Sequence, residues 1–261
     1  MTMSFADLHH QTQPLLLPNA WDVASALAFI EAGYPAIGTT SFGVSASSGD
    51  PDGGRTSKAG TTALARVLSD LPVYVTTDIE DGYSDDPDEV ADYVAALGVA
   101  GINIEDSTAE TLIDPELHAA KIAAIKRVCP DVFVNARADN YWLKQDATAP
   151  DVLSRAKIYT QAGADGIFVP GATDAKDLSR LAADITVPLN VLAHPTLTIP
   201  QLGELGVRRV STGSLPYRIA IDAGVNAANA LRAGGTPPAA TSYATMQQRL
   251  ADFHEKRTSR Q

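Results

Sequence analysis

The chain has 261 residues, a formal net charge of −11 and one cysteine, Cys129. The length suits one large domain, and the negative balance argues against nucleic acid or an anionic membrane as partner. A lone cysteine excludes an intrachain disulfide and fits a reducing, cytoplasmic setting. The polar start Met1–Gln13 has no apolar signal core, and no apolar run nears the roughly 20 residues that a bilayer span needs.

Strand and helix signals alternate along the chain. Leu15-Leu16-Leu17-Pro18 is a short apolar run, followed by a helix entry capped by Asn19 or Asp22 and an amphipathic helix over Val23–Glu31 that stops at Ala32-Gly33. Ala36–Thr39 is the second strand. Residues 40–60, with five glycines, read as one long loop, a length that is often functional in a compact domain. Helices over Thr61–Ser69, Asp88–Leu97, Pro115–Val128, Ala149–Ala162 and Thr173–Asp184 alternate with strands over Val73–Thr77, Gly101–Ile104, Val132–Ala136, Gly166–Val169 and Leu189–Leu192. A short helix over Ile199–Leu205, a strand over Arg208–Ser211 and a helix over Leu215–Arg232 complete the series.

Eight such units predict a parallel sheet closed into a (β/α)8 TIM barrel over residues 1–235, with a doubly wound open sheet as the rival. Residues 236–261 form a helical extension. Its apolar side, Met246, Leu250 and Phe253 within Tyr243–Arg257, must be buried on its own barrel or on another subunit.

Barrel chemistry sits at the carboxyl ends of the strands. The strand ends supply Thr40, Ser41 and Asp52, then Asp78 and Glu80, then Glu105, then Arg137 and Asp139, with Pro170, His194 and Ser214 further on. Acids gathered at one mouth repel unless a cation or protons neutralise them, and without His or Cys among them the natural guest is a hard ion such as Mg²⁺. One guanidinium beside such an ion suits an anionic carboxylate substrate. Each acid also has a structural alternative, as a turn residue, a helix cap or half of an ion pair with Arg137.

Four motifs in order carry a resemblance. Thr40-Ser41-Phe42-Gly43-Val44-Ser45 through Asp52, Asp78-x-Glu80-x-Gly82-Tyr83, Gly101-Ile102-Asn103-Ile104-Glu105-Asp106 and Asn135-Ala136-Arg137 resemble the isocitrate lyase/phosphoenolpyruvate mutase superfamily from about Leu15 to Arg232. The resemblance implies a Mg²⁺-dependent barrel, with Mn²⁺ as the alternative ion, acting on α-keto or hydroxy carboxylates through a metal-stabilised enolate. It implies Asp78 as direct metal ligand with Glu80 and Glu105 completing the metal set. Asp52 orients substrate or shuttles a proton, backbone N–H groups around Ser41 and Phe42 bind the keto-acid oxygens, and Arg137 pairs with the carboxylate; Thr40 and His194, from their strand-end places, are further candidates for binding substrate. It also implies a homo-oligomer.

After Glu105-Asp106 the chain reads Ser107–Asp114, with neither the Lys-x-Cys-Gly-His of the lyases nor the Lys-Thr-Asn-Ser of the mutases. The function expected from the resemblance is lyase-like C–C cleavage, or decarboxylation of an oxaloacetate-like acid, through that enolate. P–C bond chemistry on a phosphonate, a keto-acid-binding barrel without turnover and, suggested by Gly213-Ser214, a flavin- or phosphate-binding barrel remain as alternatives.

Overall fold

The computed structural model describes residues 3–259; residues 1–2 and 260–261, the outer limits of the two expected spans, lie outside the described residues. After a short 3-10 turn at Asp7–His10, the elements are β1 (Leu15–Leu17), β2 (Asn19–Ala20), α1 (Val23–Glu31), β3 (Ala36–Thr39), α2 (Ser41–Ser48), α3 (Lys58–Leu68), β4 (Tyr74–Asp78), α4 (Pro87–Leu97), β5 (Gly101–Glu105), β6 (Ser107–Thr108), β7 (Thr111–Leu112), α5 (Pro115–Val128), β8 (Phe133–Arg137), α6 (Asn140–Leu143), α7 (Ala149–Gln161), β9 (Gly166–Phe168), α8 (Ala175–Asp184), β10 (Leu189–Leu192), α9 (Ile199–Glu204), β11 (Arg209–Ser211), α10 (Leu215–Arg232) and α11 (Tyr243–Thr258).

The main sheet is parallel, in the order β1-β11-β10-β9-β8-β5-β4-β3-β2. β1 and β2 are halves of one stave broken at Pro18, a residue with no N–H to give to a ladder. The first half pairs with β11, Leu16 opposite Val210, and the second with β3, Asn19 opposite Gly38. The break is bridged by the Gly38 N–H, which donates to the Pro18 carbonyl at 2.8 Å. The ring thus closes as a (β/α)8 barrel of eight staves. Asn19 lies in the barrel wall, and Asp22 caps α1, trading hydrogen bonds with Ser25 in a capping box.

Apolar residues from the outer faces of the strands and the inner faces of α3, α4, α5, α7 and α8 fill the space between sheet and helices. Phe5, Leu15, Leu17, Ala36 and Phe133 form a second cluster. The lumen is polar. Arg209 is fully buried there, donating from Nη2 to Asn103 Oδ1 at 3.0 Å and from Nε to Ser211 Oγ at 3.2 Å. Burial pulls its guanidinium down to about 9, against the charge of Asp78.

Two segments depart from the sequence expectation. Residues 40–60 are not one loop: Ser41–Ser48 is a helix, capped by Thr40 and ended by Gly49 at φ 88°. And α10 leaves none of its 18 residues buried, exposing Ile219, Ile221, Val225 and Leu231; α11 lies beside α1 with Arg249 paired to Glu31, yet it too has no buried residue, Met246 and Phe253 being half-buried and Leu250 exposed.

Candidate active site

β3 and β4 end side by side, which sets Ser41, the first residue of α2, against Asp78, the last of β4. Asp78 Oδ2 accepts from the Ser41 N–H at 3.1 Å and the Ser41 Oγ at 2.9 Å, and the Asp78 N–H donates to Thr39 Oγ1 at 3.0 Å. The other carboxylate oxygen, Oδ1, is buried without a hydrogen-bond partner among the described residues. In the same turn the Gly43 N–H goes to Thr40 Oγ1. The ring of Phe42 packs edge-on against Tyr217 of α10.

Glu80 lies two residues beyond β4, buried and at φ 47°, a backbone region that costs a non-glycine residue energy and recurs at functional sites. Both of its carboxylate oxygens serve the segment that carries Asp52. Oε2 accepts from the Arg55 N–H at 2.8 Å and Oε1 from Ser57 Oγ at 2.5 Å. The Arg55 side chain reaches across to Asp81, with Nε 3.0 Å from both oxygens. Burial lifts the Asp81 carboxyl, but Arg55, Thr108 and Lys121 outweigh it and leave its pKa lowered. The hairpin of β6 and β7 is tied at both edges. Thr108 Oγ1 donates to Asp81 at 2.7 Å, the Leu112 N–H donates to Gln145 Oε1 at 3.1 Å, and Gln145 Nε2 donates to the Glu110 carbonyl at 2.9 Å.

β5 and β8 run in register, so Glu105 stands opposite Arg137. Arg137 donates from Nη1 to Glu105 at 2.5 Å and from Nε to Asp139 at 2.6 Å, which leaves Nη2 for an anion. Its guanidinium lies over the rings of Trp142 and Phe168. Burial opposes the Arg137 charge, yet Asp139, Glu105 and Asp78 hold it firmly protonated. Glu105 is raised well above the carboxylate range by burial, with Arg137 opposing and Asp139, Asp78 and Asp52 adding to the rise. Behind this pair Asp139 also accepts from Ser107 Oγ, and Asp106 binds the Asp139 N–H, Tyr159 and Arg155, so the forward arginine is braced by a second acidic layer.

These groups border two adjoining cavities of about 380 and 100 Å³. Asp52, Arg137 and Trp142 line both; Thr40, Ser41, Phe42, Asp78 and His194 line only the larger, and Glu80 and Glu105 only the smaller. Asp52 sits on an exposed loop, but local burial and the nearby Asp78 raise its pKa, with Arg137 opposing. The His194 ring is fully engaged: Nδ1 accepts from the Leu197 N–H at 2.9 Å, and Nε2 lies 2.9 Å from the Thr173 carbonyl. Nδ1 as acceptor makes Nε2 the protonated nitrogen, leaving the ring face for a ligand. Nor is the Gly213 N–H free, since it donates to Asn19 Oδ1 at 2.9 Å.

A divalent ion fits this mouth at one point directly. Asp78 Oδ1 is a buried carboxylate oxygen without a partner, the donor type that Mg²⁺ takes. Among the described residues no three His, Cys, Asp or Glu side chains are grouped so as to hold an ion together. Glu80 and Glu105 are already hydrogen-bonded, so they suit contact through the waters that Mg²⁺ retains.

The model of the phosphoenolpyruvate phosphomutase family matches residues 5–232. The chain belongs to this family. Among its phosphomutase-family relatives, an uncharacterized protein of Mycobacterium tuberculosis (strain ATCC 25618 / H37Rv) is 58% identical over 98% of this chain and 99% of its own length. The oxaloacetate decarboxylase of Pseudomonas fluorescens (strain SBW25) is 30% identical over 66% of this chain and 62% of its own length. The solved structure of a phosphonopyruvate hydrolase with oxalate and Mg²⁺, 24% identical, shares the fold at a TM-score of 0.84 over 100% of this chain and 99% of that one. The chain is thus an enzyme of the isocitrate lyase/phosphoenolpyruvate mutase superfamily, built on a (β/α)8 barrel.

Sequence reasoning missed the groups that position the others. Arg55 and Ser57 lie in a segment read as undivided loop, although Thr40 and Gly49 bracket a helix of eight residues as N-cap and left-handed stop. Asp81 and Asp106 are neighbours of the residues singled out, and nothing in spacing tells which of two adjacent acids faces the mouth. Trp142 belongs to α6, four residues long and too short to leave a periodic signature.

Proposed function

We propose that this chain is a Mg²⁺-dependent lyase-type enzyme that breaks a C–C bond, or removes CO₂, next to the keto unit of a small α-keto or hydroxy carboxylate. The carrying observation is Asp78, whose Oδ2 is fixed by Ser41 while its buried Oδ1 is left unbonded, on a cavity that Arg137 also lines. When bound there, with Asp78 as direct ligand and Glu80 and Glu105 holding its waters, Mg²⁺ supplies Lewis-acid stabilisation of the negative charge that gathers on the keto oxygen.

The chain's own groups do the rest. Arg137 offers Nη2 to the substrate carboxylate, its other nitrogens fixed by Glu105 and Asp139 so that the fork is already oriented. The Phe42 N–H, in the first turn of α2, is a second donor toward substrate oxygen. Asp52, with its raised pKa and its place on both cavities, holds or returns the proton. In a decarboxylation the substrate is an oxaloacetate-like acid with a second carboxyl on the carbon next to the keto carbon: the bond from that carbon to its carboxyl breaks, the electron pair passes toward the keto oxygen as an enolate, CO₂ leaves and a proton closes on that carbon. A P–C bond reading is second, favoured by the family match itself.

A thermal-shift screen of keto acids, hydroxy acids and phosphonates with and without Mg²⁺ tests this, followed by assays of CO₂ and of 2-oxo acid release. Native-state ligands raise the melting temperature by linkage. Metal-dependent shifts from keto or hydroxy acids, lost in Asp78→Ala, support the reading. Shifts indifferent to Mg²⁺ refute it, and turnover of phosphonopyruvate alone selects the second.

We further propose that the chain works in the cytoplasm as a homo-oligomer in which a second copy covers α10. Ile219, Ile221, Val225 and Leu231 are exposed around the circumference of one 18-residue helix, apolar area that an isolated domain rarely leaves bare. Light scattering of Ile219→Asp/Val225→Asp should report a smaller particle than the unaltered chain; equal masses would remove the proposal.

A further inference from the structure

The larger cavity has two unlike sides. One, from the ends of β3, β4 and β8, carries Ser41, Asp78 and Arg137. The other, from the ends of β9 and β10, carries Phe168, Pro170 and Leu192, and Trp142 of α6 stands beside them, half exposed over the Arg137 guanidinium. His194 is the polar ring on that side, and both of its nitrogens are committed to the backbone of its own neighbourhood. Among the described lining residues the cations are Arg137, already gripped by two carboxylates, and Arg218, exposed in the first turn of α10. Between the two sides the end of β11 and the start of α10 add Ser211, Thr212 and Ser214 near Arg218, but a second carboxylate turned onto the β9–β10 side would meet aromatic, proline and leucine surface, where an unpaired charge is strongly disfavoured. The cavity, about 380 Å³, falls within the range of small-molecule sites of roughly 300–1,000 Å³. A pyruvate-sized acid anchored at Asp78 and Arg137 leaves the apolar side uncovered.

We propose that the substrate bears an apolar tail: an alkyl or aryl group on the carbon next to the keto or hydroxy unit, lying on Phe168, Pro170, Leu192 and Trp142. This rests on the Mg²⁺-dependent keto-acid reading above and narrows its substrate class from small carboxylates in general to those with an uncharged substituent. The polar head is recognised by Arg137 and the Asp78 side, the tail by area alone. Each methylene that leaves water for such a surface should tighten binding about three- to fourfold.

The test is calorimetric binding to the full chain with Mg²⁺, using the 2-oxo acids from pyruvate through 2-oxoheptanoate, together with phenylpyruvate. A matched pair is added, 2-oxoglutarate and 5-methyl-2-oxohexanoate, which differ only in whether the tail ends in a carboxylate or an isopropyl group. The dissociation constant should fall about three- to fourfold per methylene over the first three or four additions. The isopropyl compound should bind at least tenfold tighter than 2-oxoglutarate. In Leu192→Asn the gain per methylene should shrink, and Trp142→Ser, at a half-exposed position, gives the same comparison should the first variant fold poorly. The readout in both is the ratio of long-chain to short-chain affinity.

A flat series, or tighter binding of 2-oxoglutarate, overturns the tail while the metal-dependent binding of pyruvate keeps the parent reading intact. Long-chain preference unaltered in both variants places the tail elsewhere and likewise overturns the inference. If no 2-oxo acid binds in a Mg²⁺-dependent way, the parent reading falls and the tail with it.

Discussion

The two sides of the barrel mouth are held in place by different forces. On the side of β4, β5 and β8, charged groups are fixed by short, charge-assisted hydrogen bonds: Asp78 by Ser41, Arg137 by Glu105 and Asp139, and Asp139 in turn by Ser107. On the side of β9 and β10, surface is fixed by packing, and its one imidazole is tied to the main chain. The first arrangement is expensive to disturb, because removing one partner strands another charge in low dielectric. The second tolerates exchange of apolar shape at a cost of about 1.5 kcal/mol or less. Chemistry is therefore expected to be brittle on one side and specificity adjustable on the other.

The largest expected effect breaks the charged side at its centre. Asp78→Asn keeps the shape and the Ser41 contact but removes the charge an ion needs, and turnover should drop by at least about 10²–10³-fold with loss of the Mg²⁺-dependent melting shift. A drop below tenfold would mean that the ion is held elsewhere. Arg137→Met should follow. It leaves Glu105 and Asp139 buried without their cation, and a loss of about 3–5 kcal/mol is expected in urea unfolding. Because Glu105 is raised by burial, it takes up a proton as pH falls, so this deficit should narrow under acid conditions.

Away from the mouth, His118, packed edge-on against Tyr159 and with neither ring nitrogen hydrogen-bonded among the described residues, sharpens the contrast by showing what burial does. Burial pushes it down to about 3, with Lys121 and Arg155 adding to the fall. The unfolded chain binds its proton near 6.5 and the folded chain does not, so stability is unaffected above pH 6.5 and declines as pH falls from there towards 3. The slope is about 1.4 kcal/mol per pH unit, or roughly 2 kcal/mol by pH 5. His118→Phe should remove that slope in a comparison of urea midpoints at pH 7 and pH 5; parallel pH profiles for the two chains would contradict the assignment. The smallest effect concerns Arg55. Its half-exposed fork to Asp81 pins the segment carrying Asp52, and Arg55→Ala should speed proteolysis between Gly49 and Ser57 and raise KM about three- to tenfold with less change in kcat.

Much of this was legible in the residues. Every barrel strand except β2, whose Asn19-Ala20 read as a helix entry, has its counterpart in a predicted strand, because strands buried on both faces read as short apolar segments with glycine or proline between them. The positions Asp78, Arg137 and Asp52 were legible as strand-end residues, and the structure puts all three on one cavity. What stayed hidden has physical causes. Ser41–Ser48 is poor in helix formers and held by its caps, so propensity conceals it. The engagement of Glu80 by Ser57 and Arg55 and the bracing of Arg137 by Asp139 join segments by side-chain geometry, which periodicity does not encode. The exposure of α10 was likewise unreadable, since an amphipathic helix shows that it has an apolar face and not what that face meets.

The stave broken at Pro18 joins the start of the chain to its far end. Leu15–Leu17 cannot find its ladder partner until Arg209–Ser211 exists, almost two hundred residues later in synthesis. On the ribosome the nascent chain must therefore wait as an open, unsealed sheet with the edge of β1 unpaired. Such late, long-range pairing slows folding and leaves an edge that invites aggregation. Slower synthesis or lower temperature should therefore favour the yield of folded chain, a consequence of closing the ring between its first and last strands.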